Sequence, residues 1–461
     1  VKTEDLLGVT NPYDGSLVAR VHRAGPEELA RAMGAAVDAA PKVAAQPTHE
    51  RMALLGRIAD GLKQRQVEFV EAIVREAGKP RRYAEAEVQR GLMTLGYAYQ
   101  EAGNLGGEAI PLGSSPAGAG LTAFVRRIPV GPAIGISPFN FPLNLMLHKI
   151  APAIAAGCPI IHKPASAVPA TALLFADVVN TAGALPGQVQ ILPMAAATMD
   201  PLIADARFKA LSFTGSPEVG WDLKARAGRK KVTLELGGNA AAVLEPDADI
   251  DRALEDCLEA AFAYAGQVCI SLQRLYIHEE LYDALIPRLI KAVQQIPHGD
   301  PSDPRTVVGP LITNANAERI QAWVQEATSA GATLLAGGGR ERQVLEPMLL
   351  EGVPPTVELG GTEAFGPVLL VERYRDFDEV LFRVNSTRYG LQHSVYTASL
   401  PKAMKALEII EAGGVLINLP PTFRVDSMPY GGVKESGFGR EGVRYAIEEL
   451  YTEPRLCVIN V

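Results

Sequence analysis

KALSFTGSPEVGWDLKARAGRKKVTLEL, residues 209–236, runs from a short apolar strand through a Gly-Ser turn into a helical stretch and back to a strand. The same alternation precedes it: AIGIS from Ala133, PIIHK from Pro159 and VQIL from Val189 are apolar runs separated by helical segments. Strand, helix and strand in succession is the pattern of a parallel sheet with right-handed crossovers. The pattern restarts after Gly238 with RLYIHE, ATLLAG, VLLVERY and VLIN, separated by stretches such as Ile250 to Tyr264 and Asn314 to Ser329. The fold class is therefore α/β, with two doubly wound parallel-sheet units meeting near Gly237-Gly238. Upstream, the chain reads as helices. One starts at Pro26-Glu27-Glu28, where proline and acids suit a first turn. Another runs on from Thr48, and Gly78 with Pro80 stops the region. TAFVRRIPVG from Thr122 is extended, and the tail YTEPRLCVINV has strand composition that suits pairing with a neighbouring unit or subunit.

Composition narrows the function. The chain has 461 residues, 44 Lys and Arg against 52 Asp and Glu, and a net charge of −8. Without a basic block it is a poor polyanion binder, so no nucleic-acid partner is expected. Hydrophobic residues at 48% and charged ones at 21% are the balance of an ordinary folded chain. The longest apolar stretch, Ile150 to Ile161, falls short of the roughly 20 residues that cross a bilayer. VKTEDLLGVTNPYDG has no apolar core like that of a signal peptide. Cys158, Cys257, Cys269 and Cys457 form no CxxC pair. A cytoplasmic location follows as the expectation, where a single thiol is available as a nucleophile.

Open parallel sheets bind ligands at the carboxyl ends of their strands. Gly215 and Ser216 sit where one strand gives way to a helix, a place where a phosphate can meet unpaired N–H groups. Alone, such a glycine also reads as an ordinary turn. Lys163 ends another strand, as a ligand for ribose or phosphate or as a surface charge. Cys269 lies between a helical stretch and a strand; a lone cysteine is usually a small buried hydrophobe. Glu235, however, ends an apolar strand just before a Gly-Gly break, where a buried carboxylate is costly unless employed. A thiol nucleophile with a carboxylate base is a sensible chemical pair. No metal site is expected: Cys158 and His162 have no second pair, and HExxH is absent.

Together these pieces resemble the aldehyde dehydrogenase superfamily. The matching motifs, in family order across nearly the whole chain, are SPFNFPLN, HKPAS, FTGSPEVG, LELGGN, GQVC, EAFGPV and MPYGGVKESGFGRE. The resemblance implies the aldehyde dehydrogenase fold: an NAD(P)-binding domain over 1–106 and 130–237, a catalytic domain over 238–434, and an oligomerisation arm over 107–129 and 435–461. It also implies a homodimer or homotetramer. Cys269 would attack the aldehyde carbon, Asn140 and the Cys269 N–H would hold the oxyanion, hydride would pass to the nicotinamide, and Glu235 would activate water against the thioester. Lys163 and Ser166 would meet the adenosine ribose, Gly215 and Ser216 the pyrophosphate, Glu363 the nicotinamide ribose, with Phe365 packed nearby.

Departures from the family pattern bear on specificity. Ser166 stands where many NAD-dependent members carry a glutamate, which removes repulsion against a 2′-phosphate, so the cofactor is NAD or NADP. Asn144 and His148 are four apart on the helix after FNFP and share a face. On that face they suggest a small polar aldehyde such as lactaldehyde or glycolaldehyde, although His148 suits a structural carbonyl as well. Arg424, before MPYGG, falls near the pocket mouth in the family and suits an anionic aldehyde or, equally, a subunit contact. GQVCIS and FRVDSMPYGGVKESG look closest to the lactaldehyde and phosphonoacetaldehyde dehydrogenase branch. Two alternatives stand beside this reading: a coenzyme A-acylating relative, which commonly lacks the carboxylate present here as Glu235, and a non-catalytic protein that keeps the fold.

Overall fold

Six strands form the first sheet of the computed structural model, which describes residues 3–460. Their order across the sheet is Gly437–Phe438, Lys231–Glu235, Ala210–Thr214, Ala133–Ile136, Ile160–Lys163 and Val189–Ile191. All are parallel except the first. The chain winds one way from Ala133–Ile136, crosses back to Ala210–Thr214, and winds the other way. These two strands are neighbours, with Ile136 opposite Phe213. The topological switch lies between them, and the loops leaving their carboxyl ends open a crevice. Every residue of both strands is buried, as a parallel sheet covered on both faces requires.

The second sheet has seven strands in the order Thr333–Ala336, Met348–Glu351, Val368–Tyr374, Leu272–His278, Ala240–Leu244, Gln392–Tyr396 and Gly414–Ile417. Only Thr333–Ala336 runs antiparallel. The short link between Glu235 and Ala240 carries the chain from one sheet to the other.

A third sheet joins Gly107–Ile110, Leu121–Pro129 and Thr452–Asn460, all antiparallel. The tail thus pairs with TAFVRRIP of its own chain. Residues 435–451, grouped with the arm on sequence, lie elsewhere. Gly437–Phe438 pairs with Leu234 and Glu235, and Ile447, Leu450 and Tyr451 enter the core around the first sheet. Glycine permits that approach, since a Cβ on Gly437 would stand 2.4 Å from the Leu234 carbonyl oxygen.

The N-terminal region is not all helix. Leu6–Thr10 and Leu17–His22 form a hairpin whose turn is Asn-Pro-Tyr-Asp-Gly. The Asn11 carbonyl accepts the Gly15 N–H, and its side-chain oxygen accepts that of Tyr13, a turn signal legible in the sequence. Helices Pro26–Ala45, Thr48–Gln64, Gln66–Ala77 and Arg81–Asn104 follow, and Gly78 ends the third in the left-handed conformation. Among the described residues, no helix is long and apolar enough to cross a membrane.

Candidate active site

The crevice at the switch point widens into a cleft of about 430 Å³ between the two units. The first unit supplies walls from the carboxyl ends of its strands: Phe139 and Asn140, Gly215 and Ser216, and Glu235. The second unit supplies Cys269 and Glu363 from the amino ends of its strands, just before Leu272–His278 and Val368–Tyr374. The strand-end rule therefore accounts for one side of the cleft and not for the other.

Cys269 sits at the tip of a tightly wound turn. Tyr264, Ala265 and Gly266 all have positive φ, at 51°, 56° and 66°. For the two non-glycine residues this costs about 1–2 kcal/mol each. Gly266 is required, because a Cβ there would lie 2.2 Å from the Gly366 carbonyl oxygen. The turn leaves the thiol half-buried, 3.2 Å from the Tyr430 hydroxyl. Burial pushes the Cys269 thiol up to about 11; the Tyr430 hydrogen bond and the Arg424 charge oppose that rise, while Glu363 and Glu235 add to it. The Asn140 amide nitrogen donates to the Gln267 carbonyl at 2.8 Å, leaving one N–H unspent. The Cys269 N–H donates to no acceptor among the described residues. Two polar donors of the cleft wall are thus available to a developing oxyanion.

Glu235 is buried with neither carboxylate oxygen hydrogen-bonded. Burial raises it well above the ordinary carboxylate range, the charge of Glu441 raises it further, and Arg424, Lys149 and Arg440 pull against both. Burial also pushes Glu441 up, but Lys149, with Nζ 2.7 Å away, and then His148 and Arg424 hold it below its ordinary value. The two carboxyls are therefore shifted in opposite directions, Glu441 below its ordinary value and Glu235 well above it.

The residues expected to hold a dinucleotide form a fitting cradle in part. A Cβ on Gly215 would meet the Phe213 ring at 2.5 Å, so the backbone there stays bare. Ser216 caps the helix Pro217–Arg226 by accepting the Val219 N–H. On the opposite wall Glu363 accepts the Gly238 N–H at 3.1 Å, and burial raises its carboxyl to about 8. Phe365 meets Phe139 edge-on at 5.9 Å. A bare backbone at a helix N-terminus facing a carboxyl group that can reach hydroxyls suits a pyrophosphate and a ribose. Lys163, the last residue of the neighbouring strand, whose Nζ donates to the Pro164 carbonyl, and the exposed Ser166 beyond it lie outside the cleft walls.

The expected pocket face of Asn144 and His148 is not a wall of this cleft. Asn144 accepts from the Thr94 hydroxyl at 2.9 Å, and His148 Nε2 lies 2.9 Å from Asp426. Both are buried, like the rest of the helix Asn144–Ala156; of its first turn it is Leu145 that lines the cleft, while Asn144 and His148 point away from it. Asp426 takes their polar atoms, along with a two-pronged bond from Arg90. Arg424 is also behind the cleft. Its guanidinium lies 3.6 Å from the centre of the Tyr430 ring, bonds His148 Nδ1 at 3.2 Å, and leaves Nε buried without a partner. Tyr430 and Glu441 stand inside the motif MPYGGVKESGFGRE yet were not singled out on sequence. Asp426, Arg90 and Lys149 carried no local signal.

A doubly wound sheet whose switch-point crevice faces a thiol and two buried carboxyls has the architecture of a dinucleotide-dependent oxidoreductase. The chain belongs to the aldehyde dehydrogenase family, matching its model over residues 1–455. Enzymes of this family oxidise aldehydes with NAD(P). The chain is 39% identical over 460 residues to the 3-sulfolactaldehyde dehydrogenase of Priestia aryabhattai, spanning 100% of this chain and 96% of that one. This agrees with the lactaldehyde side of the motif resemblance. Its fold matches aldehyde dehydrogenase 21 of Physcomitrella patens, solved in complex with the reaction product succinate, at a TM-score of 0.98 and 42% identity, covering 100% and 96% of the two chains. The glyceraldehyde-3-phosphate dehydrogenase GapN of Methanocaldococcus jannaschii, complexed with NADP, matches at 0.95 and 36%, with both chains fully covered.

Proposed function

We propose that this enzyme oxidises a small aldehyde bearing an anionic group to the corresponding acid, through a thiohemiacetal and a thioester on Cys269. The observation that carries the substrate class is the buried Arg424 guanidinium, one phenol ring away from the Cys269 sulfur and with donors unspent. Around it, Arg90, Arg424 and Lys149 face only two carboxylates held ionised, Asp426 and Glu441. The surplus positive charge in a desolvated place favours an anion. Three of the relatives point in the same sense, since sulfolactaldehyde, succinate and glyceraldehyde 3-phosphate carry a sulfonate, carboxylates and a phosphate, while others are named for the uncharged lactaldehyde.

Asn140 and the Cys269 N–H hold the oxygen of the substrate carbonyl as the Cys269 sulfur bonds its carbon. NAD(P), when bound, would supply the acceptor for the hydride that leaves this adduct. Gly215, Ser216, Glu363 and Phe365 would hold that cofactor in the cleft, and Lys163 and Ser166 would meet its adenosine ribose. Ser166 places no carboxylate against a 2′-phosphate, so both NAD and NADP are accepted. Glu235, once deprotonated, takes a proton from water as the water attacks the thioester. The acid leaves, and the Cys269 thiolate is restored. In this reading residues 1–106 and 130–237 bind the cofactor and 238–434 carry the chemistry. The exposed Leu456, Val458 and Ile459 of the outer strand suit a second copy of the chain, in a homodimer or homotetramer. A nucleophilic thiol calls for a reducing cytoplasm.

The test is the initial rate of reduced-cofactor formation, crossing NAD and NADP with succinic semialdehyde, sulfolactaldehyde, lactaldehyde, glycolaldehyde and a long-chain aldehyde. The anionic substrates are expected to lead. Arg424→Ala should raise their KM about tenfold or more while leaving lactaldehyde nearly unchanged. Best activity on the long-chain aldehyde, or equal effects of Arg424→Ala on charged and neutral substrates, overturns the reading.

A further inference from the structure

We propose that Lys79 and Glu87 are positioning residues that hold the two halves of the oxyanion site in register, an inference that rests on the thiol-acylation reading above. Lys79 stands in the Gly78-Lys79-Pro80 corner between the helices Gln66–Ala77 and Arg81–Asn104, fully buried. Its Nζ lies 3.7 Å from the centre of the Phe141 ring and 4.7 Å from that of Tyr264. Phe141 directly follows Asn140. Tyr264 opens the left-handed run that leads to Cys269. One ammonium therefore touches both segments that carry the donors. The circuit closes beyond it, where the Asn140 amide donates to the carbonyl of Gln267, a residue between Tyr264 and Cys269. The Tyr264 hydroxyl also donates to the Ala77 carbonyl at 3.1 Å, on the same corner as Lys79.

Glu87 completes the hold. One of its carboxylate oxygens pairs with Lys79. The other accepts the N–H groups of Leu143 and Asn144, at 2.9 and 3.1 Å. These groups open the helix Asn144–Ala156, which has no side-chain cap of its own. The carboxylate thus fixes the far end of the segment 139–143 while the ammonium holds its middle, at Phe141. Stability alone does not call for this arrangement, since apolar side chains of similar volume often replace a buried ion pair without loss. An apolar pair lacks the directional hold of a cation over two ring faces and of charge-assisted bonds to a helix start.

The test follows the first-turnover transient of the full chain with an excess of cofactor and aldehyde, for the wild type, Lys79→Met and the double variant Lys79→Met/Glu87→Leu. Transient amplitude counts correctly folded sites, and the rate constant reports acylation. Both variants are expected to acylate about 10- to 100-fold more slowly. Cofactor affinity and the rate of Cys269 alkylation by iodoacetamide should stay within about twofold of wild type. Partial unfolding lowers the amplitude and leaves the rate constant of the surviving sites readable. A wild-type rate constant at any amplitude overturns the proposal. So does a parallel fall in alkylation, which would make Lys79 a thiol activator instead. Cys269→Ser runs alongside: a transient that survives in it removes the acylation reading itself, whatever Lys79 does.

Discussion

Replacing Tyr430 with phenylalanine removes one hydroxyl and keeps the ring on which the Arg424 guanidinium rests, 3.6 Å from its centre. That hydroxyl lies 3.2 Å from the Cys269 sulfur. Burial pushes the thiol up to about 11, and the Tyr430 hydrogen bond is the first influence opposing it. A hydrogen bond to a charged group contributes about 1.5–3 kcal/mol, and one pKa unit corresponds to about 1.4 kcal/mol. Sulfur is a weak acceptor, so the lower end applies and the variant thiol should titrate about one unit higher. The thiolate is the nucleophile. Below both midpoints its population, and hence the reaction rate, falls about tenfold at a fixed pH. The assay is the second-order rate of alkylation by iodoacetamide between about pH 7 and 10, in a Cys457→Ser background because Cys457 is the other accessible thiol and Cys158 and Cys257 are buried. Wild-type and variant rates should both climb about tenfold per pH unit, with Tyr430→Phe displaced below by about tenfold. An unchanged rate refutes the hydroxyl as the partner of the thiolate, and a faster one means that the phenol holds the proton on sulfur.

Two further outcomes follow from the buried carboxyls. Glu235 is raised by burial and then by Glu441, so its basic form grows as pH rises. Acid release should therefore climb with pH in the wild type and become slow and nearly flat in Glu235→Gln, read from the decay of the thioester after rapid mixing; a wild-type profile in the variant removes Glu235 from the base role. For Asp426, burial raises the carboxyl but His148 and Arg90 hold it well below its ordinary value of 3.8. Its stabilisation is thus complete at neutral pH and is lost only as pH falls below about 4, through the depressed folded value. Asp426→Asn leaves Arg90 and Arg424 short of a counter-charge and should cost about 2–4 kcal/mol in denaturant unfolding at neutral pH, the half-exposed Arg90 keeping it below the range of a fully buried pair. A midpoint equal to wild type would show that the charge of Asp426 is dispensable.

Much of the site was legible because its residues lie beside glycine-marked breaks in short apolar strands. Gly215-Ser216, Glu235 before Gly237-Gly238, and Cys269 after Gly266 all announce themselves this way, and all meet in one cleft. That Asn144 and His148 do not line this cleft has a physical reason. A four-residue spacing says that two side chains share a helix face but not what that face meets. Here the helix is enclosed along its whole length, and Asp426, far along the chain, claims both polar groups. Tyr430 lay in a quoted motif but owes its role to a contact 161 residues away in sequence. Lys79 and Arg90 depend in the same way on non-local partners that no window of sequence displays. The hairpin at the N-terminus was legible and missed, since Asn-Pro-Tyr-Asp-Gly is a turn signal whatever follows it.

The distribution of charge around Cys269 separates binding from reaction. In front of Tyr430, burial raises the thiol of Cys269 and the carboxyls of Glu235 and Glu363 above their ordinary values. Behind it, Asp426 and Glu441 stay ionised because Arg90, His148, Lys149 and Arg424 surround them. Lys149 reaches Glu235 and Glu441, and Arg424 reaches the thiol as well: it lowers Cys269 and Glu235 while facing Asp426 and Glu441 at 3.8 and 3.7 Å. Removing Asp426 or Glu441 would therefore strengthen the field of Arg424 at the thiol, and an anion held by Arg424 would weaken it. On the proposed reading, substrate charge and thiol acidity are coupled through the Arg424 guanidinium. A neutral residue at 424 would uncouple them, giving up affinity for anions and, with it, the positive field that helps the thiol to ionise.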